Sequence, residues 1–156
     1  MKLKAQKLSK NQAQEISKWQ YPNEYAVYNL PTWDIMLAKG YSLTDDQKKE
    51  RYIGYVNNDE ELVGFVNLLD KGESVFFWIG IKSEYCNMGI GKIITKMALI
   101  ESESRFPNKP IVLEVRAWNK RAIKCYQSQG FKIIEIKEIE TPSGVGEFYV
   151  MKYKLK

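Results

Sequence analysis

The sequence predicts an α/β (α+β) fold with a mixed central sheet of six to seven strands and helices on both faces. Short apolar runs of strand length alternate with segments of helical period. One apolar strand, Val75–Ile81, is followed by an amphipathic helix and a second apolar strand over residues 111–115. Two strands joined by a helix are expected to be parallel, with a right-handed crossover.

The first half of the chain predicts a strand, a helix and a hairpin. Residues 3–8 are expected to form a strand, and the capping sequence Ser9-Lys10-Asn11 leads into a helix over 12–19. The aromatic segment that follows has room for a second short helix, and residues 45–51 read as a charged loop or helical turn. The runs RYIGYV and LVGFVNLL, separated by NNDEE, predict a β-hairpin.

The second half predicts two helices and a final hairpin. The period becomes helical at Gly89, and one apolar face is expected to carry Ile90, Ile93, Ile94, Met97 and Ile100. Asn119 suits the N-cap, and Gly130 the C-terminal end, of a helix over 120–129. Residues 131–140 and 147–154 predict a hairpin around PSGVG.

Length and composition predict a single globular domain over residues 1–156. The chain is 44% hydrophobic and 28% charged, which is ordinary for a folded domain of this size. No run of about 18 apolar residues suggests a membrane span, and the lysine-containing N-terminus has no apolar block like that of a signal peptide. With only Cys86 and Cys125 as cysteines, a cytoplasmic protein without disulfides is expected.

The absence of histidine and the charge balance restrict the chemistry. Any acid–base step must use Glu, Asp, Tyr, Lys, Cys or water, and no metal site is expected. The net charge is +5. The basic residues near the central motifs are Lys92, Lys96, Lys120, Arg121 and Lys124. They fit either solvated helix faces or a rim for a phosphorylated ligand, and no long basic run suggests nucleic acid.

Gly89-Ile90-Gly91 lies after the apolar strand and at the start of the next helix. The start of a helix offers unpaired N–H groups and a partial positive charge, and glycines let anionic oxygens approach them. The spacing fits neither a P-loop nor a dinucleotide fingerprint. The segment therefore predicts an anion cradle of another type, or a simple turn.

Two further residues are candidates for acid–base catalysis. Glu114 interrupts an apolar strand, and a carboxylate that loses solvation there would suit a general base working near neutrality. Its alternative is an ion pair with Arg116 or a lysine, or partial exposure. Tyr126 shares a helix face with Ala122 and Ile123 and is either a general acid or a core aromatic. Cys125 is expected to be a packing residue.

These residues carry a resemblance to a known family. The run from Val75 to Phe131 resembles the central part of the GCN5-related N-acetyltransferases (GNAT), and LEVRAWNKRAIKCYQSQGF resembles their ribosomal-protein alanine N-acetyltransferase branch. The resemblance implies the GNAT fold, with a parallel β-α-β acetyl-CoA-binding unit. It also implies an enzyme that transfers the acetyl group of acetyl-CoA to a primary amine. The acceptor would be a peptide N-terminus, a polyamine, an amino acid, an aminoglycoside or a protein lysine.

The resemblance also implies roles for individual residues. The cofactor arm would pair with the backbone of Ile79, Gly80 and Ile81, and it would contact Asn119. The pyrophosphate would lie against Asn87, Met88, Gly89, Ile90, Gly91 and Lys92. Glu114 corresponds to the general base of the branch and Tyr126 to its general acid.

The chain also departs from the family. Cys86 stands where the family usually has Arg or Gln, and segments 21–41 and 141–147 do not resemble the alanine-acetylating enzymes. In the first segment Tyr25, Tyr28 and Trp33 would line an acceptor pocket, because aromatic rings bind cationic amines, or would form a small satellite core. An acyl-CoA-sensing module without catalysis is the alternative function, and the chain is expected to be a monomer or a homodimer.

Overall fold

The computed structural model describes residues 1–154 and contains seven strands and four α-helices in this range. The strands are β1 (Lys4–Lys7), β2 (Tyr52–Val56), β3 (Leu62–Asp70), β4 (Val75–Ile81), β5 (Ile111–Arg116), β6 (Lys132–Thr141) and β7 (Gly144–Tyr153). The helices are α1 (Lys10–Ser17), α2 (Trp33–Lys39), α3 (Ile90–Arg105) and α4 (Lys120–Ser128). Short 3-10 helices cover Asn23–Tyr28, Ser42–Thr44, Asp46–Arg51 and Ser83–Tyr85.

The strands form one mixed sheet in the order β1-β2-β3-β4-β5-β7-β6. β4 and β5 are parallel, which confirms the predicted β-α-β unit. Their pairing joins Val75 to Ile111 and Phe76 to Val112, at the start of both strands. β1 and β2, β2 and β3, β5 and β7, and β6 and β7 pair antiparallel.

The chain divides into two compact units. The first unit comprises Met1–Asn67 and Ile79–Ile90, and the second comprises Leu68–Trp78 and the chain from Gly91 onward. The prediction of a single domain stays a prediction. Over the described residues, no helix combines the length and apolar character that crossing a bilayer requires.

Each unit has its own apolar core. The core of the first unit consists of Leu8, Ala13, Ile16, Trp19, Met36, Leu43, Tyr52, Val56, Leu62 and Phe65. In the second unit, Ile111, Leu113 and Val115 of β5 are buried, as their alternation predicts. A group of rings, Phe77, Tyr126, Phe131 and Tyr153, packs in the same unit with centroid distances of 5.6–6.4 Å.

Local capping signals set the ends of two helices. Ser9 and Gln12 form a reciprocal capping box, in which Ser9 Oγ accepts from Gln12 N at 3.1 Å and Gln12 Oε1 accepts from Ser9 N at 3.0 Å. Helix α1 therefore begins at Lys10, two residues before the predicted start. The Asn119 side chain accepts from Ala122 N at 3.2 Å, which confirms Asn119 as the N-cap of α4.

Two predicted details are wrong. Ile100 is 66% exposed, whereas the buried face of α3 includes Ile94, Ala98 and Ser102. Because each residue turns an α-helix by about 100°, Ile100 lies roughly 200° from Ala98 and points away from this face.

The final hairpin turns at Pro142 and Ser143 only, since Thr141 already pairs with Gly144.

Candidate active site

Near the end of β4, the backbone of Gly80 packs directly against the ring of Phe65. A Cβ built on Gly80 would lie 2.3 Å from Cε1 of Phe65, a buried residue of β3. Any other residue at position 80 would overlap this ring, so the close approach of strand and ring requires glycine. The three predicted cofactor-arm residues Ile79, Gly80 and Ile81 are all half-buried.

A tyrosine from the aromatic segment holds the last residue of β4. The Tyr21 hydroxyl donates to the Ile81 carbonyl at 2.7 Å, and Tyr21 N donates to Asn29 Oδ1 at 2.7 Å. The carbonyl of Ile81 therefore accepts a side-chain hydrogen bond in addition to any contact with a ligand. The sequence offers no local signal for this contact, because the two residues are 60 positions apart.

A charged cluster fixes the turn that follows β4. Glu61 Oε2 accepts from the Tyr85 hydroxyl at 2.8 Å, and Glu61 Oε1 lies 3.2 Å from Lys82 Nζ. The Lys82 backbone N–H also donates to Val63 O at 2.9 Å. The hydrogen bond from the Tyr85 hydroxyl is the largest cause that lowers the pKa of Glu61, and the bond from the Lys82 ammonium is the next. In return, the hydrogen bond to Glu61 raises the pKa of Tyr85. Sequence reasoning did not find this cluster.

We expect Glu61 to make stability depend on pH in acid solution. Because its pKa is lowered in the folded state, its contribution is present above its unfolded value of about 4.3 and is lost as the pH falls through the lower folded value. The difference in Tm between wild type and Glu61→Gln should be constant above about pH 5 and shrink below it. Glu84→Gln, at a more exposed residue 3.7 Å from Lys82, is the control and should shift Tm little. A pH-independent difference for Glu61→Gln would contradict this role.

The segment before α3 has the backbone form expected of an anion cradle. Asn87 and Gly89 have φ angles of 64° and 78°, and Asn87, Met88 and Gly89 are exposed. A Cβ built on Gly89 would meet no atom within 4 Å, so the space beside this residue is open. Helix α3 begins at Ile90, one residue after the predicted change to helical period at Gly89. Open space beside a left-handed turn and a helix start fits a phosphate-bearing ligand.

Cys86 occupies the position where the family usually has Arg or Gln. Its Sγ lies 3.9 Å from the Ile81 carbonyl oxygen and 3.8 Å from that of Lys82, within weak hydrogen-bonding distance for sulfur. The thiol is half-buried against the end of β4. A cysteine offers no guanidinium to pair with a phosphate, so a phosphate bound here would be held mainly by backbone groups.

In the second unit, the start of α3 packs closely on α4. A Cβ built on Gly91 would lie 3.4 Å from Cys125 Sγ, which is a tight but ordinary contact. Burial raises the pKa of the Cys125 thiol, and the nearby charge of Lys92 opposes the shift. A thiol that stays protonated is a poor nucleophile. These observations agree with the packing role predicted for Cys125, whereas Lys92 itself is exposed.

Glu114 is more exposed than the sequence predicts. Its side chain keeps 30% of its accessible surface, so the expected desolvated carboxylate is wrong. The reason is that Glu114 lies on the face of β5 opposite Leu113, and this face is only partly covered. Glu114 Oε2 lies 3.7 Å from Lys137 Nζ of β6, which is the ion pair with a lysine named as the alternative. The guanidinium of Arg116 instead lies over the Phe148 ring at 4.8 Å.

Tyr126 packs as an aromatic residue of the second unit. Its ring meets Phe77 edge-on at a centroid distance of 6.4 Å and Phe131 at 5.8 Å. It is half-buried on α4. These edge-to-face contacts give Tyr126 the core packing role named as its alternative. They also hold its phenol in one orientation, which is compatible with a general acid.

The predicted acceptor-pocket residues fall into two environments. Tyr25 and Tyr28 stack with their ring centroids 6.5 Å apart in a 3-10 helix. Trp33 packs against the main apolar core of the first unit, which agrees with a packing role but not with a separate satellite core. The tyrosine pair therefore stays the better candidate for contact with an acceptor.

Comparison with known proteins gives a family match along most of the chain. The model of the acetyltransferase (GNAT) family matches residues 11–131. No curated protein matches the chain in sequence.

Several solved structures share the fold. The ribosomal-protein-S18-alanine N-acetyltransferase from Escherichia coli is 20% identical with a TM-score of 0.71, over 99% of this chain and 95% of that chain. The spermidine N-acetyltransferase from Vibrio cholerae, solved with CoA and spermine, is 20% identical with a TM-score of 0.77, over 97% and 95%. A GNAT acetyltransferase from Streptococcus pneumoniae is 17% identical with a TM-score of 0.69, over 99% and 100%.

Proposed function

We propose that this chain, which belongs to the acetyltransferase (GNAT) family, acetylates a cationic primary amine with Glu114 as general base and Tyr126 as general acid. The chain is an acetyl-CoA-dependent N-acetyltransferase, as the family match over residues 11–131 establishes. The acceptor and the roles of individual residues are our proposal. The two free cysteines also fit a reducing cytoplasm, where we place the enzyme.

The position of the Glu114 carboxylate carries this proposal. An amine that is protonated in solution must lose a proton before its nitrogen can attack a carbonyl. The Glu114 carboxylate is accessible, and it already attracts an ammonium, that of Lys137, at 3.7 Å. An accessible carboxylate of this kind can bind a cationic amine, and in this proposal it also takes the proton of that amine, directly or through one water.

The end of β4 and the start of α3 would bind acetyl-CoA. When bound, acetyl-CoA supplies an acetyl thioester. The backbone of Ile79–Ile81 would hold the cofactor arm, and one of its N–H groups would donate to the acetyl carbonyl oxygen. The exposed turn at Asn87–Gly89 and the start of α3 would hold the pyrophosphate, because the positive end of a helix favours an anion. The exposed Lys92 ammonium adds a positive charge.

The second unit supplies the proton-transfer groups. Glu114 would take the proton of the acceptor amine. Tyr126 would give its phenolic proton to the departing sulfur. Contacts with the rings of Phe77 and Phe131 hold the phenol in place for this step. Asn119 caps α4 and so holds the helix that carries Tyr126. Its contact with the cofactor arm stays part of the proposal.

An acceptor panel tests the function. We would measure CoA release from acetyl-CoA with alanine- and serine-starting peptides, lysine peptides, spermidine, spermine, amino acids and aminoglycosides. The proposal expects amine-dependent release for at least one class, with a stronger response from cationic amines. The matched spermidine enzyme, solved with spermine, makes polyamines a natural first class to test. Binding of acetyl-CoA without release for any amine would contradict the proposal.

Replacing Tyr126 by Phe is expected to lower kcat by about 10²-fold or more, because the phenolic proton is lost while the ring remains. Steady-state kinetics with the best acceptor of the panel would measure the effect. Tyr153→Phe is the matched control, since the Tyr153 ring packs on Phe131 at 5.6 Å in the same cluster. A Tyr126→Phe enzyme with wild-type kcat would overturn the acid role.

A further inference from the structure

Lys137 places an ammonium beside the proposed base. Its Nζ lies 3.7 Å from Glu114 Oε2, and its side chain is 46% exposed. The strand register explains this proximity. Glu114 of β5 is opposite Val150 of β7, and Lys137 of β6 is opposite Phe148, two residues along the same face of β7.

The ion pair between Lys137 and Glu114 contributes little to the stability of the fold. Both side chains are partly solvated, and pairs of this kind contribute about 0–1 kcal/mol. The Lys137 ammonium can therefore leave the carboxylate at little cost to the fold. Its exposed fraction also leaves Nζ accessible to a reagent.

We propose that Lys137 Nζ is an intramolecular acceptor, so that the enzyme acetylates itself at this residue. The proposal rests on the proposed function of Glu114. An acceptor amine must come within hydrogen-bonding reach of the base, directly or through one water. Lys137 Nζ is 3.7 Å from Glu114 Oε2, an ion-pair distance, and rotation of either partly solvated side chain brings it within this reach. An attached amine reacts at a high effective concentration when the acetyl group is held beside it.

The step is balanced without another reagent. The Lys137 ammonium gives one proton to Glu114, and the nitrogen forms a bond to the acetyl carbonyl carbon of acetyl-CoA. The carbon–sulfur bond breaks, and the sulfur leaves as the CoA thiol after taking a proton. The products are acetyl-lysine, free CoA and one proton released to the solvent. Nothing is oxidised or reduced.

Acetylation would also change the site. The acetylated side chain carries no charge, so the ion pair with Glu114 is lost. The carboxylate is then open to an external amine, for which the Lys137 ammonium otherwise competes. Self-acetylation would therefore favour external acceptors.

Mass spectrometry of the whole chain tests the proposal. The purified protein is incubated with acetyl-CoA without any added amine, and acetylation of each lysine is followed over time by peptide mapping. Lys132, which is exposed on the same strand, is the internal control for uncatalysed acetylation. We expect Lys137 to react about 10²-fold faster than Lys132 in wild type, and at the rate of Lys132 in Glu114→Gln. Lys137→Arg should remove the fast phase and keep the charge.

Two results would overturn the proposal. Lys137 could react no faster than Lys132, or it could react equally fast in wild type and Glu114→Gln. Running the acceptor panel on the same samples separates this inference from the proposed function. Glu114-dependent acetylation of an external amine, with Lys137 unmodified, would overturn self-acetylation alone. Loss of Glu114 dependence in both assays would overturn both.

Discussion

Replacing Glu114 by Gln is expected to lower kcat/KM for amine acetylation by about 10²–10⁴-fold, the usual contribution of a general base. The amide keeps the size of the side chain and its exposed position on β5 but cannot take a proton. Stability should change by less than about 1 kcal/mol, because the ion pair with Lys137 is partly solvated. Steady-state kinetics and thermal unfolding would measure the two effects.

Glu135→Gln is the matched control for this variant. Glu135 of β6 and Glu114 of β5 are both opposite Val150 of β7, so the two carboxylates stand on the same face of the sheet. Glu135 is exposed, and the proposal gives it no role. We expect wild-type kinetics for this control. An equal loss in both variants would indicate a general effect of surface charge instead of a base at position 114.

Replacing Gly80 by Ala is expected to destabilise the protein by about 1–3 kcal/mol, as overpacking of a core typically does, and to raise KM for acetyl-CoA. The added Cβ would lie 2.3 Å from the Phe65 ring. The ring has little room to move, because it packs on Trp19 at 6.0 Å and on Tyr52 at 6.2 Å. The end of β4 must then shift, together with the backbone that is proposed to hold the cofactor arm.

A double-mutant cycle separates this clash from other causes. A leucine side chain at position 65 is shorter than the ring and leaves space for the methyl group added at position 80, so Gly80→Ala should cost less in a Phe65→Leu background. Urea unfolding of the four proteins would give the coupling free energy. Additive effects of the two substitutions would contradict the contact between residues 65 and 80.

Local signals in the sequence predicted the elements that carry the candidate site. The apolar run Val75–Ile81 and the change to helical period near Gly89 predicted β4 and the start of α3, and both are confirmed. The same holds for the N-cap residues Ser9 and Asn119, because their hydrogen bonds reach only three residues along the chain.

Contacts between distant residues could not be predicted in this way. The bond from Tyr21 to Ile81 and that from Tyr85 to Glu61 join segments that are 60 and 24 residues apart. No periodicity encodes such pairs. They depend on how complete elements pack, which single-sequence patterns do not contain.

Glu114 shows the same limit within one strand. Alternation correctly placed it on the face opposite Leu113. It could not tell whether another element covers that face, so the expected burial was wrong. Its pairing with Lys137 depends on the register of two more strands, β7 and β6.

The pH dependence of kcat/KM in wild type and Glu114→Gln tests the central claim most directly. Without a base, the rate should rise only with the fraction of acceptor amine that is already deprotonated, whose pKa is about 10 for an alkylamine such as lysine. We expect the variant to follow this fraction and wild type to exceed it by about 10²-fold or more near neutral pH. Two profiles that coincide across the whole pH range would show that Glu114 is not the base.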